Sequence, residues 1–561
     1  MPHTTLHDTL PRARDALARF AWAEALELFE RAVAERESAE AYEGLGWAAW
    51  WCNNVDKLLP AREAAFRLYR QAGDQLGAAR AAMWLAADHA DFRGELSVAA
   101  GWRQRARRLL DGVPLASEHG WERLLAGDAA LLNEGDTVTA HRCADEVLAI
   151  GRQIPVVDFT ILPLALHGLA LVDEGRINEG MQLLDEAAVS ALGERLAEPF
   201  WESWTICYLL FACERARDFG RASQWCDRLR ELSERYDMPY GLGICRVHYA
   251  AVLLWQGNWS RAEEHLMEGA TILEQTRVPW AAEAFVRLAE LRRRQGRLEE
   301  AGALFAKLEW HPLALLGMAE LALDSGKPRD AEDHAERALR QIPQASRHHR
   351  ANALELLVRA RALRGHRSRA TETLTALHTL CGEMTPTPSL RAAIEYSAGI
   401  VAVGARDLEH ARARFEDAVT LFERVGAPYE AARSRLELAS VLVSLDRLDR
   451  ARTEARGANA ALQQLDSRLY ASRAAALLRD IDRRVGPEVR EPDGNRDGPP
   501  LTRRQVQILR LIAHGRSDRE IAATLSVSEH TVHRHVANIL QRLETPTRAA
   551  AAAVAATRGL I

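Results

Sequence analysis

Apolar positions along this chain recur at helical spacing, and one arrangement of them repeats. Near the N-terminus "FAWAEALELFERAV" sets Ala25, Phe29 and Ala32 on a single helical face, small residues flanking a large one. The same small-x3-large-x2-small pattern returns at Ala61, Ala99, Ala140, Gly180, Ala222, Ala262, Ala301, Ala331, Ala370, Ala411 and Ala451, which makes twelve copies. Successive copies are 36, 38, 41, 40, 42, 40, 39, 30, 39, 41 and 40 residues apart, a register that chance would not hold. Turn signals precede most copies, among them "NEGD", "DEGRI", "ARDFG", "QGNW", "QGRL", "SGKP", "RGHR", "ARDL" and "LDRL", and their Gly is expected to supply the left-handed residue that ends a helix. Each unit therefore reads as a helical hairpin whose apolar face must be covered by its neighbour. Stacked in series, about twelve of them predict an α-solenoid over residues 1–484. The short interval between Ala301 and Ala331 marks a unit where the superhelix is expected to bend.

The pattern breaks at "VGPEVREPDGNRDGPP", where Pro, Gly and charge leave nothing to pack, so residues 485–500 read as a flexible linker. Residues 501–561 resume with shorter helices. "LTRRQVQILRLIAHG" opens with Thr502 and Gln505 in capping relation, turns Val506, Leu509, Ile512 and Ala513 inward, and stops at Gly515. "SDREIAATL" repeats the device with Ser517 and Glu520, pointing Ile521 and Leu525 inward. Ser528 caps a third helix with Val532, Val536, Ile539, Leu540 and Leu543 inside, and Pro546 and Thr547 begin an alanine-rich fourth. The fold class expected is all-α: a solenoid followed by a small four-helix helix-turn-helix domain.

Charge changes the picture. The whole chain carries a net −5, which alone argues against a nucleic-acid binder, but residues 501–561 hold nine Arg and four acidic residues, +5, against −10 for the rest. A basic module on an acidic body suits a protein in which only the module meets phosphate. On the third helix His533, Arg534 and Ala537 share a face that can enter the major groove, where Arg can bond a guanine and Ala can touch a thymine methyl. Arg504, Arg516, Ser517, Arg519, Ser528, Glu529, Thr531 and Arg542 are the candidates for phosphate contact and positioning.

Two resemblances follow from these residues. Ala331, Ala335, Ala338 and Pro343 fit the second helix of the tetratricopeptide repeat family, and the period near forty resembles the longer repeats of large bacterial transcriptional activators. Leu501, Thr502, Arg504, Leu509, Gly515, Ser517, Asp518, Arg519, Glu520, Ile521, Ala522, Leu525, Ser528, Thr531, Val532, His535, Val536, Asn538, Ile539, Leu540, Leu543, Gly559 and Leu560 stand where the LuxR-type (NarL/FixJ-type) DNA-binding domain has its pattern. That resemblance implies a third helix in the major groove and a fourth used for dimerisation. Gln505 in place of the usual Glu, His533 where Lys is common and Glu544 at the end of the third helix depart from it, so no operator sequence carries over.

Other features are less directed. Trp201, Trp204, Tyr208, Trp225, Tyr236, Tyr240, Trp255 and Trp259 either fill space between helices or line an effector groove. "LRRRQG" at 291–296 reads as a solvated charge run, with an anion patch as the alternative. Seven scattered cysteines without a C-x-x-C pair read as reduced thiols, and His530, His533 and His535 point to different helix faces, which disfavours a metal site. No G-x-x-x-x-G-K-[ST] loop occurs, and no cofactor or catalysis is expected. No apolar stretch is long enough to span a membrane, and a cytoplasmic location is expected. The reading is a transcriptional regulator that binds promoter duplex DNA, with a protein, peptide or small-molecule effector on the repeats, a homodimer on DNA and contact with RNA polymerase. The alternative is a repeat scaffold with secondary DNA binding.

Overall fold

The computed structural model describes residues 9–485 except 195 and 385–386, and 501–557 except 526, 528, 544 and 546; the side chains of 239–242, 245, 503, 530, 541 and 557 are also left undescribed. The linker reading, the Ser528 cap, Pro546, Glu544 and Gly559 therefore lie outside the described residues. Helices account for all regular structure among them. The first hairpins are α1 (Thr9–Ala18) with α2 (Trp22–Glu35), α3 (Ala39–Trp51) with α4 (Val55–Ala72), α5 (Gln75–Asp88) with α6 (Leu96–Leu110), and α7 (Ser117–Ala129) with α8 (Thr137–Gly151). Then come α9 (Asp158–Asp173) with α10 (Ile177–Gly193), α11 (Pro199–Ala216) with α12 (Phe219–Arg235), α13 (Pro239–Trp255) with α14 (Trp259–Thr276), and α15 (Val278–Gln295) with α16 (Leu298–Ala306). The last are α17 (Pro312–Asp324) with α18 (Pro328–Gln341), α19 (Arg347–Leu363) with α20 (Arg367–Gly382), α21 (Pro388–Ala405) with α22 (Leu408–Arg424), and α23 (Pro428–Ser444) with α24 (Leu448–Gln464); α25 (Arg468–Val485) closes the array.

Each of the twelve triplets begins on the second helix of a pair, and their small members are almost all fully buried. The reason is close approach: Phe415 of α22 lies on Gly399 of α21, where a Cβ would come within 2.6 Å of the ring. The shortened unit is real, since α16 has nine residues. Each hairpin turns through a residue of positive φ, but Gly is not always the residue. In "ARDFG", "ARDL" and "LDRL" the left-handed residues are Arg217, Arg406 and Asp446, so the expectation of Gly there is corrected. The intact C-terminal hydrogen bonds of the preceding helices, such as Arg217 N to Glu214 O at 3.0 Å, help offset the ~1–2 kcal/mol steric cost.

First helices of successive hairpins also touch one another, α9 with α11 and α19 with α21, which puts them on the inner rim of the superhelix. The superhelix winds tightly enough for its turns to meet. Trp22 Nε1 donates to Tyr236 O at 2.9 Å across 214 residues, Arg277 Nη1 to Asn53 Oδ1 at 3.0 Å across 224, and Ser467 Oγ to Arg294 O at 2.8 Å across 173. Gly135, at φ +65°, faces Pro343 so closely that a Cβ would come within 2.6 Å of it.

Because the turns meet, the inner rim is interior. Arg292, Arg293 and Arg294 are buried, which corrects the reading of "LRRRQG" as a solvated run. Arg293 pairs with Asp324 and with Glu290 at 2.7 Å, while Tyr470 donates to Asp324 at 2.6 Å, joining α15, α17 and α25. Of the singled-out aromatics, Trp201, Tyr208, Trp255 and Trp259 are buried and Trp204, Trp225 and Tyr236 half-buried; Tyr240 has no described side chain.

Candidate nucleic-acid interface

The C-terminal module is built from α26 (Arg503–Ala513), α27 (Asp518–Leu525), α28 (Glu529–Arg542) and α29 (Arg548–Thr557). Its first helix starts with a reciprocal cap: Gln505 N donates to Thr502 Oγ1 at 3.2 Å and Thr502 N to Gln505 Oε1 at 2.9 Å. Gln505 also accepts from Arg542 at 2.9 Å, so the Gln that departs from the family pattern fastens the far end of α28. The second helix repeats the cap, Ser517 N donating to Glu520 Oε2 at 2.8 Å and Glu520 N to Ser517 Oγ at 3.4 Å. The backbone contact, then the hydroxyl and Arg516, hold the Glu520 carboxyl below its ordinary range.

Ile508, Leu509, Ile512, Ile521, Ala522, Val532, Val536, Ile539, Leu543, Ala551 and Ala555 form one core. The inward stripe of α26 is thus Ile508, Leu509 and Ile512; Ala513 is exposed and Val506 only half-buried, a rotation of the face expected from sequence. Ala551 and Ala555 are spent inside the module, where α29 packs on α26. Arg548 was not singled out by sequence, yet it donates to Asp518 at 2.6 Å and to Arg516 O at 3.0 Å, clamping α29 to the start of α27. Its position one residue after a Thr-led helix start gave no distinctive signal.

The candidate reading residues divide into two sets. His533 and Ala537 are exposed on α28, with His533 Nδ1 3.6 Å from Asp518. Arg534 is turned toward the repeat array, where it pairs with Glu454 of α24, a side chain only 1% exposed. Thr531 is buried and donates to Glu416 of α22 at 3.4 Å, so the structure places it against a carboxylate rather than at a surface that could meet phosphate. Burial tends to raise the Glu416 pKa, but Arg450 at 2.5 Å and Arg412 at 2.7 Å outweigh it and hold the carboxyl below its usual range. Between these contacts, burial and then Arg534, Arg504 and Arg450 lower His535 to about 4, keeping it neutral.

Of the positioning candidates, Arg516, Ser517, Arg519, Glu529 and Arg542 are exposed. Arg504 is half-buried and donates to Leu525 O at 2.9 Å, capping α27. The structure therefore brings the start of α27 and the outer face of α28 to one surface, and lays the Thr531–Arg534 edge of α28 on α22 and α24. No group of three or more His, Cys, Asp or Glu suited to a metal occurs among the described residues, and no described helix is long and apolar enough to cross a membrane.

Residues 499–555 match the family described as bacterial regulatory proteins, luxR family. Among curated proteins the module is 52% identical over 52 residues to the uncharacterized transcriptional regulatory protein YhcZ of Bacillus subtilis, covering 9% of this chain and 24% of that one. It is 46% identical over 61 residues to the HTH-type quorum-sensing regulator RhlR of Pseudomonas aeruginosa, 11% and 25% of the two chains, and 33% identical over 87 residues to the nitrate/nitrite response regulator protein NarP of Escherichia coli, 15% and 36%. The chain thus spans only about a quarter to a third of these relatives. A solved structure titled as the APC/C hetero-tetramer Cut9-Hcn1 is similar at TM-score 0.49 and 11% identity, over 84% of this chain and 95% of that one. The terminal module is a LuxR-family helix-turn-helix domain.

Proposed function

We propose that the protein regulates transcription by sequence-selective binding of duplex DNA through residues 501–561, in the cytoplasm and without a catalytic step. His533, Arg534 and Ala537 read base edges; Arg516, Arg519 and Arg542, with the amides at the start of α27, hold phosphates. The observation that carries this reading is the basic, doubly capped helix-turn-helix whose exposed side chains, His533 and Ala537 with Arg516 and Arg519, are presented by the start of α27 and the outer face of α28. In the form described, one reading residue is occupied: Arg534 is paired with Glu454, and a groove-bound Arg534 must leave it. The array thereby sets when the module is free, an effector or protein partner favouring release, with a homodimer on DNA and RNA polymerase contact completing the reading.

The test is salt-dependent retention of random duplex DNA and selection of bound sequences, on the full chain and on residues 495–561. The fragment binds with a steep inverse dependence on salt, and Glu454→Gln raises retention by the full chain toward that of the fragment. Arg534→Ala relaxes selectivity at one base position, worth ~1–3 kcal/mol. A fragment that binds no duplex at low salt sinks the reading; a Glu454→Gln chain that binds no better than its parent sinks the docking part alone.

A further inference from the structure

Two short π turns occur among the described helices, His89–Arg93 after α5 and Ala130–Glu134 after α7, and both border one cavity of about 120 Å³. Such turns cost backbone geometry and recur where a fold places groups for function. Here they place carboxylates: Asp91 lies within the first, Asp128 two residues before the second, and both line the cavity. The rest of the wall is largely aromatic, with Trp84, Trp204, Tyr208 and Trp280.

The charges around this cavity do not balance. Asp128 accepts from Trp204 Nε1 at 3.1 Å and from the Tyr208 hydroxyl, both neutral donors. Asp91 has no hydrogen-bond or ion-pair partner among the described residues. Asp88, three residues earlier, is paired with Arg62 at 3.2 Å, and Arg103 sits 3.9 Å from Glu134. Arg277 of the interloop before α15 is the remaining cation, and its guanidinium lies 3.4 Å over the Phe92 ring while donating to Asn53. The cavity wall carries Asp91, Glu122 and Asp128 against Arg103 and Arg277; Glu122 is paired with Arg107 at 2.7 Å and Arg123 at 3.1 Å, and Arg103 leans to Glu134, so Asp91 and Asp128 face Arg277 alone, one positive charge short.

We propose that this cavity binds a small organic ammonium ion, a compound of about the size of a benzene ring bearing one positive charge. An engineered apolar cavity of ~150 Å³ admits benzene, so the volume suits such a ligand. Aromatic faces attract an ammonium group, by ~2 kcal/mol or more once it is desolvated, and the two carboxylates supply the missing counter-charge. Burial, with Asp128 and Asp88 adding to it and Arg277 opposing, pushes Asp91 up to about 7, so a cation entering near neutral pH displaces a proton from it. The inference deepens the reading of the array as the part that receives an effector, by naming the ligand class. It is tested by ligand binding without DNA, so either can fail alone.

The experiment is calorimetric titration of the full chain with benzylammonium chloride and with its neutral isostere benzyl alcohol. Benzylammonium is expected to saturate one site and to bind at least tenfold tighter than the alcohol at pH 8, with the advantage shrinking by pH 6 as Asp91 takes up its proton. Asp91→Asn removes the advantage while leaving benzyl alcohol binding in place, which also reports that the cavity is intact; Asp128→Asn is the second variant. Equal affinity for the two probes, an ammonium preference that survives both variants, or no saturable binding of either overturns the proposal.

Discussion

The two halves of the superhelix interior are made from the same repeat and filled in opposite ways. All fourteen tryptophans lie at or before Trp310, and the inner rim of the first hairpins is a tryptophan-lined wall, with Trp121 stacked on Trp201 at 4.9 Å, around a cavity with a surplus of carboxylates. From the end of α15 onward the rim is arginine, glutamate and tyrosine: Arg293 meets Glu290 and Asp324, Arg359 meets Glu320 at 2.5 Å, and Arg433 lies between Tyr396, Tyr429 and Tyr470. The outer positions of the repeat are alike in both halves, so the triplets specify stacking and leave the inner rim free to vary. Both halves keep a cavity, about 120 Å³ against the tryptophans and about 460 Å³ among Arg293, Glu320 and Arg433, and they differ in how their buried charges are paired.

That contrast can be broken from either side. Removing Asp324 leaves the buried Arg293 without its 1%-exposed partner, and Asp324→Ala is expected to cost about 3–5 kcal/mol, read by chemical denaturation. A loss under ~1 kcal/mol would mean that the second half is not held by its charges. In the first half the effect has the opposite sign. Asp91 has its folded pKa raised to about 7, so its contribution to stability is present at acidic pH and is lost as pH rises through about 7. Asp91→Asn should therefore stabilise the free protein more at pH 8 than at pH 5, by on the order of 3 kcal/mol across that range. Thermal melts at the two pH values that shift equally would remove Asp91 from the account.

Smaller changes sharpen the comparison. Gly399→Ala forces a methyl onto Phe415 and should cost ~1–3 kcal/mol as overpacking of the triplet that both halves share. Tyr470→Phe takes one donor from Asp324 and should cost about 1 kcal/mol, well below Asp324→Ala. If the two tyrosine and aspartate variants destabilise equally, the hydroxyl rather than the guanidinium secures the carboxylate.

The sequence made the stacking legible because a triplet spaced by four and three reports a helix face directly, and all twelve landed on second helices. The module was equally open to reading, since its caps are written in Thr502–Gln505 and Ser517–Glu520. The inner rim was not. Whether Arg293 is solvated depends on α17 and α25, which the winding brings to it, and no local period encodes that winding. The same blindness hid Arg534: its place on α28 was clear from the pattern, but Glu454 is eighty residues away on an outer helix. Arg217, Arg406 and Asp446 at positive φ escaped because the turn, not the residue, was the repeated feature.

The meeting of superhelical turns at Gly135 and Pro343, and at Arg277 and Asn53, also bears on how the chain acquires its shape. A linear array gains each repeat independently, with rates set by neighbours. Here a hairpin added late in synthesis completes a contact begun some two hundred residues earlier. Assembly should therefore slow once the second winding begins, and deleting a terminal hairpin should loosen the middle of the chain as well as its end.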